Sequence, residues 1–352
     1  MVGSAILKKL KEQGYENFVL RSSRELDLRN QEATNHFFAT EKPDYVFLAA
    51  AKVGGIMANN LFRADFIIDN IQIQQNVIQA SFHHGVKKLL FLGSSCIYPK
   101  NAPQPLKEEY LLTSPLEYTN EPYAIAKIAG IKICESLNIQ YGTNYISVMP
   151  TNLFGPNDNF DLEKSHVLPA IIRKMHLGKS LEEGNWKNIR EDLDKNPVEK
   201  VTGSSPEKDI VNLLKKYGIS TSKDETSITL WGSGKPLREF LYSEDLAEAC
   251  IFIMNKVQFA DLIHDNKGEI RNTHINIGTG NDLSIGDLAL LIKKIVGFKG
   301  RILWDSEKPD GTYQKLLDVS KLESLGWKYS TSLENGITKV YKEYCHTIAK
   351  SD

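Results

Sequence analysis

Four short apolar segments, each followed by a stretch of helix length, constrain the fold of this chain more than any other feature. They are FVLRS at 18–22, YVFLAAA at 45–51, KLLFLGSS at 88–95 and YISVMP at 145–150. Strands that are apolar throughout are typical of a parallel sheet covered by helices on both faces. The sequence therefore predicts an α/β fold with a Rossmann-like, doubly wound parallel sheet. Ligands bind such sheets at the carboxyl ends of the strands. In this chain those ends are Arg21, Ala49 to Lys52, Ser94 to Cys96 and Pro150 to Asn152.

The first residues, MVGSAILKKLKEQGY, predict the helix that follows the first strand of such a sheet. A dinucleotide-binding turn places glycines between that strand and that helix, so that the backbone can approach a pyrophosphate. Gly3 stands where the last of these glycines would be, and a plain helix-start glycine is the alternative. Because the first strand is central in the sheet, we expect a chain that begins here to be poorly soluble or to bind its dinucleotide weakly. We also expect the working protein to carry roughly a dozen more residues.

Arg21 ends the predicted second strand. An acidic residue at that position would hold a ribose hydroxyl, whereas an arginine accepts a 2′-phosphate. Arg24 follows closely. The sequence therefore predicts NADP(H) rather than NAD as the cofactor, and a solvated arginine is the alternative.

The second half of the chain predicts a smaller C-terminal α/β lobe. Strand-like runs occur at ITLWG, HINIG and RILWD, and helical patterns occur at SHVLPAIIRKMH, 243–256 and 283–296. We expect an NADP-binding domain over 1–160 and a substrate-binding lobe over 161–352, with some segments returning to the first domain. The heavily charged stretch at 180–226 contains one amphipathic stretch near KDIVNLLKKYG. It predicts a solvated, partly mobile insertion, with a regulatory or partner-binding role as the alternative.

Composition excludes several classes of protein. The 352 residues carry a net charge of −1, which argues against a nucleic-acid or anionic-membrane partner. No apolar run approaches the roughly 20 residues of a membrane span, and the N-terminus lacks the layout of a secretory signal. The widely spaced cysteines Cys96, Cys134, Cys250 and Cys345 form no CxxC motif. We therefore expect a soluble cytoplasmic protein with no disulfide framework and no metal site.

Tyr123 and Lys127 form the motif that carries chemistry. Positions four apart lie on one face of a helix, so the phenol and the ammonium can share one small volume. A neighbouring cation favours the phenolate and is expected to lower the tyrosine pKa, which would make the pair a proton-transfer device for alcohols and ketones. Ser94, at the end of a strand, can hydrogen-bond a substrate oxygen. A half-buried tyrosine with a snorkelling lysine is the alternative for the motif alone.

The chain resembles the extended short-chain dehydrogenases/reductases, in the branch that converts GDP-4-keto-6-deoxy-D-mannose to GDP-L-fucose. Outside 180–226 the resemblance covers nearly the whole chain. The matching stretches are AAAKVGGI, FLGSSCIYPK, NEPYAIAKIAGIKICES, SVMPTNLFGPNDNF, SHVLPA, WGSGKPLREFLYSEDLA, NIGTG and KPDGTYQKLLDVSKLESLGW. The resemblance implies NADPH-dependent epimerisation at C3 and C5 of the GDP-sugar, followed by reduction at C4.

Catalytic residues follow from the resemblance position by position. It implies Ser94, Tyr123 and Lys127 as the reductase triad, and Cys96 with His166 as the acid/base pair for epimerisation. A 4-keto sugar has acidified C–H bonds beside its carbonyl, so inversion needs one group that removes a proton and another that returns it on the opposite face. Cysteine and histidine titrate nearest neutrality. The expected cofactor-binding residues are Gly3, Arg21, Ala50, Ala51, Lys127, Pro150, Asn152 and His166.

The GDP-sugar has its own candidate residues. Trp231 offers a stacking surface, with core packing as the alternative. Arg238 can pair with a diphosphate, since a guanidinium matches phosphate oxygens well, and Lys315 is a candidate second cation. The resemblance adds Asn152 near the sugar and Lys174 among the substrate contacts.

Other functions remain open at this point. A nucleotide-sugar 4-epimerase would use the same serine, tyrosine and lysine and keep its cofactor bound. A 4,6-dehydratase fits less well, because such enzymes resemble a Thr-Asp-Glu run where this chain has Ser95 and Cys96. A non-catalytic nucleotide-binding protein is the alternative from another class. Relatives form homodimers through the helix of Tyr123 and a long helix corresponding to about 57–84, so a homodimer is expected.

Overall fold

The structure, a computed structural model, describes residues 1–222, 225–263, 268–308 and 310–349, with the side chains of residues 56 and 57 left aside. The chain divides into two compact units. Unit 1 comprises Met1–Leu153, Glu239–Asn281 and Lys315–Ser330, and unit 2 comprises Phe154–Arg238, Asp282–Gln314 and Thr331–Asp352.

Helices separate most of the strands along the chain. The first part of the chain forms α1 (Val2–Glu12), α2 (Gln31–Glu41), β1 (Tyr45–Leu48), α3 (Ile56–Leu61), α4 (Arg63–His83), β2 (Lys88–Leu92), α5 (Glu121–Tyr141), β3 (Tyr145–Pro150) and β4 (Asn152–Phe154). The middle forms α6 (Val167–Glu182), α7 (Trp186–Lys195), α8 (Glu207–Lys216), β5 (Ile219–Ser222), β6 (Glu225–Trp231), β7 (Leu237–Tyr242) and α9 (Ser243–Lys256). The last part forms β8 (Ile275–Ile277), β9 (Asp282–Ser284), α10 (Ile285–Val296), β10 (Arg301–Asp305), β11 (Gln314–Lys315), α11 (Ser320–Ser324) and α12 (Leu333–Ala349).

Unit 1 is built on a parallel sheet with strand order β1-β2-β3-β8. Every residue of β2 and β3 is buried. Successive side chains of a strand point to opposite faces, and here Phe91 joins a core with α4 and α5 while Leu90 joins a core with α1 and α9. Apolar residues cover both faces of the sheet, and this confirms the predicted doubly wound α/β fold.

The predicted strand at 18–22 is wrong. Residues 15–22 have no regular secondary structure, and Val19 and Leu20 are exposed. Within the described parts of the chain, no strand pairs with the outer side of β1, where Tyr45 is also exposed. An apolar segment becomes a strand only when it has a ladder to join, and this segment has none.

The charged stretch at 180–226 is folded, so the expectation of a solvated and partly mobile insertion is wrong for most of it. It contains α7, α8 and β5, and β5 pairs with β6 in an antiparallel ladder. Its helices close a separate hydrophobic cluster in unit 2, with Ile189, Ile210 and Leu214 fully buried. Most of the charges lie on the outer faces of these amphipathic helices, although Asp192 of α7 is buried. The amphipathic stretch near KDIVNLLKKYG coincides with α8, whereas the many charges of α7 hide its apolar stripe.

Most other predicted elements are confirmed, with small changes of boundary. The helix at 243–256 coincides with α9, and the helix at 283–296 begins two residues later, where Ser284 caps α10 by accepting from the Asp287 N–H. The long helix expected over about 57–84 is interrupted at Phe62 between α3 and α4. HINIG, expected in the smaller lobe, supplies β8 to the sheet of unit 1. In the described residues, no helix is long and apolar enough to cross a membrane.

Candidate active site

Ser94 and Cys96 lie on the turn that leaves the carboxyl end of β2. Ser94 is extended and caps a single 3₁₀ turn over Ser95–Ile97, with its Oγ accepting from the Cys96 N–H at 3.3 Å. Two residues later, the Tyr98 hydroxyl donates to Asn276 Oδ1 at 2.5 Å. These bonds fix the turn at both ends, and so they hold the Ser94 hydroxyl and the Cys96 thiol in defined places.

Tyr123 and Lys127 are presented by α5, which packs closely on the sheet and on α4. A Cβ at Gly130 would lie 2.5 Å from Phe91, so only glycine permits this approach. Gln74 of α4 donates to the carbonyl of Ala126. The Ala-rich sequence of α5 is therefore explained by close packing, which holds the two functional side chains beside the end of β2.

The expected lowering of the Tyr123 pKa by Lys127 is wrong in this structure. Burial, together with the nearby Cys96, raises the pKa of Tyr123 well above its usual value, and only a hydrogen bond with Ser94 opposes this. The Lys127 Nζ donates to the Leu92 carbonyl at 2.8 Å and lies 5.8 Å from the centre of the Tyr123 ring. Burial dominates because both groups are enclosed, and it also lowers the pKa of Lys127 to about 8.

Cys96 is a neutral thiol in this environment. Burial raises the pKa of the Cys96 thiol, while the charges of Lys315 and Lys127 and the hydrogen bond with Ser94 act in the opposite direction. Lys315 was expected at the nucleotide end of the substrate. Both Lys315 and Cys96 lie in unit 1, and the positive charge of Lys315 lowers the pKa of the Cys96 thiol. The Lys315 ammonium therefore lies in the neighbourhood of Cys96. The described cysteines are all free, and no group of three or more His, Cys, Asp or Glu side chains in the described ranges could hold a metal ion.

Asn152 and Glu239 complete this part of unit 1. The Asn152 Nδ2 donates to the main-chain carbonyl of Glu239 at 2.8 Å. Sequence reasoning missed Glu239, whose side chain is 0% exposed. The available signal was a lone carboxylate inside the otherwise apolar strand segment EFLY, where a charge is retained only if hydrogen bonds satisfy it.

The predicted acid/base residue His166 and the remaining predicted substrate residues belong to unit 2. His166 precedes α6, and burial of its ring lowers the pKa of the imidazole although the residue as a whole keeps an exposed surface. Lys174 is buried on α6, donates to the Thr229 carbonyl at 3.2 Å and has its pKa lowered by burial to about 8. Trp231 is 64% exposed, which argues against core packing. The Arg238 guanidinium donates to the Leu237 carbonyl at 2.7 Å.

The predicted cofactor residues of unit 1 differ in how well they suit a dinucleotide. Ala50 and Ala51 follow β1 and Pro150 ends β3, so these three residues lie at the carboxyl edge of the sheet. Gly3 lies in the first turn of α1, where a Cβ would meet only Ala49 at 4.0 Å, so nothing there requires glycine. Arg21 is paired with Glu41 and stacks on Phe37, 5.5 Å from the ring centre.

Lys127 provides a direct test of whether this edge suits the ribose of a nicotinamide nucleotide. An ammonium has three N–H bonds, and the Leu92 carbonyl takes one of them. The side chain is held in place by burial and still has donors to offer to ribose hydroxyls. The residues at the carboxyl edge of the sheet therefore fit the reactive end of the cofactor.

A serine, a tyrosine and a lysine gathered at the carboxyl edge of a doubly wound sheet define an oxidoreductase of the short-chain type, which moves hydride and proton between an alcohol and a ketone. Comparison with known proteins agrees with this class. The sequence pattern of the NAD dependent epimerase/dehydratase family matches residues 1–194 and 199–278. The chain belongs to this family.

Several relatives are similar over almost their full length. The chain is 49% identical over 350 residues to putative GDP-L-fucose synthase 2 of Arabidopsis thaliana, covering 99% of this chain and 90% of the relative. It is 46% identical over 342 residues to GDP-L-fucose synthase of Escherichia coli strain K12, covering 97% and 92%. Among solved structures, the GDP-mannoheptose C4 reductase MlghC of Campylobacter jejuni, with NADP bound, is 46% identical with a TM-score of 0.84, covering 97% and 95%.

Proposed function

We propose that this protein uses NADPH to convert GDP-4-keto-6-deoxy-D-mannose into GDP-L-fucose, by epimerisation at C3 and C5 and reduction at C4. The observation that carries the proposal is the gathering of Ser94, Cys96, Tyr123 and Lys127 around the end of β2. The first three are linked by hydrogen bonds or charge effects centred on Ser94, and Lys127 lies on the same helix face as Tyr123. The identity of 46–49% to GDP-L-fucose synthases supports the choice of substrate.

Reduction at C4 assigns a role to each residue of the triad. NADPH supplies the hydride when bound. Tyr123 gives its proton to the oxygen at C4, and its raised pKa means that this proton is present at neutral pH. Ser94 donates to the same oxygen and stabilises charge that develops there. Lys127 holds the ribose and favours the phenolate that remains after the proton has left.

Epimerisation uses Cys96 and His166. The ketone at C4 acidifies the flanking C–H bonds, so a proton can leave C3 or C5 as an enolate forms and return on the opposite face. Burial favours the neutral forms of both the thiol and the imidazole. Ser94 and Tyr123 stabilise the enolate oxygen by hydrogen bonding.

Incubation of the purified protein with GDP-4-keto-6-deoxy-D-mannose and NADPH tests the proposal. Consumption of one NADPH per GDP-L-fucose formed is the expected result. A protein that interconverts nucleotide sugars without consuming NADPH would be a 4-epimerase instead, and the proposal would then be wrong.

A GDP-heptose C4 reductase is the second candidate, since a solved reductase of that kind is as similar to the chain as the fucose synthases are. The two candidates differ in the proton exchange that precedes reduction. In deuterated water, a fucose synthase incorporates deuterium at C3 and C5 of its product. A simple C4 reductase leaves both positions unlabelled and prefers the heptose substrate.

We also propose that the protein is a homodimer that pairs through α4 and α5. Exposed apolar side chains on these helices support this, among them Ile68 at 53% and Ile125 at 43%. Burial of apolar area is the main favourable term in association. Light scattering should give about twice the chain mass of 39.7 kDa, and Ile68→Asp should reduce it to that of one chain.

A further inference from the structure

Glu239 on β7 is a buried carboxylate for which the proposed chemistry has no use. Its neighbours Phe240 and Leu241 are buried apolar residues, and its own side chain is 0% exposed. Burial raises the pKa of the Glu239 carboxyl, and main-chain hydrogen bonds from Leu317, Gly280 and Thr279 oppose that rise. A charge in such a place is costly unless its oxygens are fully hydrogen-bonded.

Each carboxylate oxygen of Glu239 holds a different segment. Oε1 accepts from the main-chain N–H of Thr279, from that of Gly280 at 2.8 Å and from the Thr279 hydroxyl at 3.3 Å. Oε2 accepts from the Leu317 N–H at 3.0 Å. A Cβ at Gly278 would lie 2.2 Å from Oε1, so glycine is needed for the loop to close on the carboxylate.

The segment held through Leu317 carries Lys315. The same segment is also held through its next residue, Leu316. The Leu316 N–H donates to Gln104 Oε1 at 2.9 Å, and the Leu316 carbonyl accepts from the Leu106 N–H at 2.7 Å. Lys315 therefore extends from a segment clamped on both sides. Its charge reaches the Cys96 thiol, which requires the segment to stay in this place.

The main chain of Glu239 fixes Asn152. The carbonyl accepts from Asn152 Nδ2 at 2.8 Å and from the Thr151 hydroxyl at 3.4 Å. One residue thus ties together, within unit 1, the end of β3, the loop at 278–281 and the segment that carries Lys315. Two of these three segments carry a predicted substrate residue.

We infer that Glu239 is a positioning residue whose carboxylate holds the segment of Lys315 beside Asn152, in the arrangement that receives the sugar end of a GDP-sugar. Its main-chain carbonyl holds Asn152 and is not altered by substitution of the side chain. The inference rests on the proposed function for the kind of ligand. It does not require turnover, because a stable GDP-sugar can report on the same site.

Glu239→Gln tests the inference. An amide has one accepting oxygen and one NH₂ group, so in either orientation it places a donor against the N–H of Leu317 or against those of Thr279 and Gly280. Misplacement of a group in an active site by about 1 Å can lower the reaction rate by up to about a hundredfold. We expect calorimetry to show GDP-mannose binding about tenfold weaker. For the GDP-4-keto sugar that the wild type reduces, KM should rise with a smaller change in kcat, and KM for NADPH should stay within about twofold.

Glu135→Gln is the matched control. Glu135 is also a buried carboxylate of unit 1 and accepts from the main-chain N–H of Thr273 at 3.3 Å, but it holds no predicted substrate residue. A purely structural role for Glu239 predicts lower melting temperatures in both variants with unchanged GDP-mannose affinity. That result would overturn the inference.

Thr279→Ala covers the case in which Glu239→Gln does not fold. It removes only the contact of the Thr279 hydroxyl with Oε1, in a half-exposed loop. Because Oε1 and Oε2 belong to one carboxylate, the change loosens the hold of Oε2 on the Leu317 segment, and we expect GDP-mannose affinity to fall by about two- to threefold, in line with one modest hydrogen bond. Wild-type affinity in this variant would contradict the inference. Failure of the proposed function would give a different result. The wild type would bind GDP-mannose but would reduce neither GDP-4-keto-6-deoxy-D-mannose nor the GDP-4-keto-heptose of the second candidate function.

Discussion

Asp192→Asn should destabilise unit 2 severely, although Asp192 lies in the charged stretch that the sequence predicts to be solvated. Asp192 Oδ1 accepts from Arg173 Nε at 3.0 Å and from its terminal nitrogen at 2.7 Å, and both side chains are 0% exposed. The other oxygen accepts from the Tyr344 hydroxyl. The substitution leaves a buried guanidinium without its carboxylate.

Removal of one partner from a buried ion pair costs about 3 to 5 kcal/mol. Arg173 keeps its hydrogen bonds to the carbonyls of Phe160, at 3.1 Å, and Asn196. These neutral acceptors satisfy N–H groups without compensating the charge, so the loss should fall within that range. The pair joins α6 to α7, and therefore both helices should open more easily.

Native-state hydrogen exchange is the appropriate assay, because it measures local opening without assuming that both units unfold together. Amides in the cores of α6 and α7 should exchange about a hundredfold faster or more, since each 1.4 kcal/mol is about a factor of ten. Glu191→Gln on the same helix is the control. Its ion pair with Lys187 spans 3.7 Å at a surface where Lys187 is 82% exposed, and it should change exchange little. Protection within about threefold of wild type in Asp192→Asn would refute the reasoning.

Four further predictions concern catalysis. Tyr123→Phe should lower the rate of NADPH oxidation by about 10²- to 10⁴-fold with an unchanged circular dichroism spectrum, since only the proton donor is lost; near-normal oxidation would rule out the triad. Cys96→Ser and His166→Asn should each slow solvent deuterium entry at C3 and C5, and normal exchange in both would place the acid/base pair elsewhere. Arg21→Ala should reduce the preference for NADPH over NADH by about tenfold or more, which corresponds to the loss of a charged hydrogen bond to phosphate. An unchanged preference would show that Arg21 does not bind the 2′-phosphate and pairs only with Glu41. Because the pKa of Lys127 is lowered to about 8, its charge is lost as pH rises past that value, so kcat/KM for reduction should fall above about pH 8 and the fall should be absent in Lys127→Arg.

Local signals in the sequence are sufficient for β1, β2 and β3 of the main sheet and for most helices. KLLFL and YISVMP consist mainly of apolar residues and do not alternate with polar ones, and this pattern reflects burial on both faces of the sheet. FVLRS at 18–22 has a similar apolar start, but no strand in the described parts of the chain pairs with it, and pairing is a property of the whole sheet that a single segment cannot reveal. The expectation of a solvated insertion at 180–226 is wrong for a related reason, since the composition of the whole stretch averages the apolar stripes of α7 and α8 with their charged opposite faces.

For the candidate site, sequence patterns indicated which residues meet but gave little information about their electrostatics. Ser94 and Tyr123 come together as predicted, because strand ends and helix faces follow from periodicity. The direction of the Tyr123 pKa shift depended on how completely the site is enclosed, which no spacing encodes. Glu239 was missed because its partners are main-chain N–H groups, and those have no signature in the sequence.

The division of the chain between the two units bears on how the protein is made. β8 pairs with β3, with Asn276 opposite Met149, and unit 1 also needs Lys315–Ser330 from near the end of the chain. During synthesis, most of unit 2 therefore leaves the ribosome before the sheet of unit 1 can be completed. The edge of β3 that later pairs with β8 stays unpaired during that time. Contacts between residues so far apart in sequence form slowly and leave strand edges exposed to other nascent chains. Expression at low temperature or with chaperones that shield such edges should raise the yield of folded protein, and a fragment that ends at residue 160 should not fold.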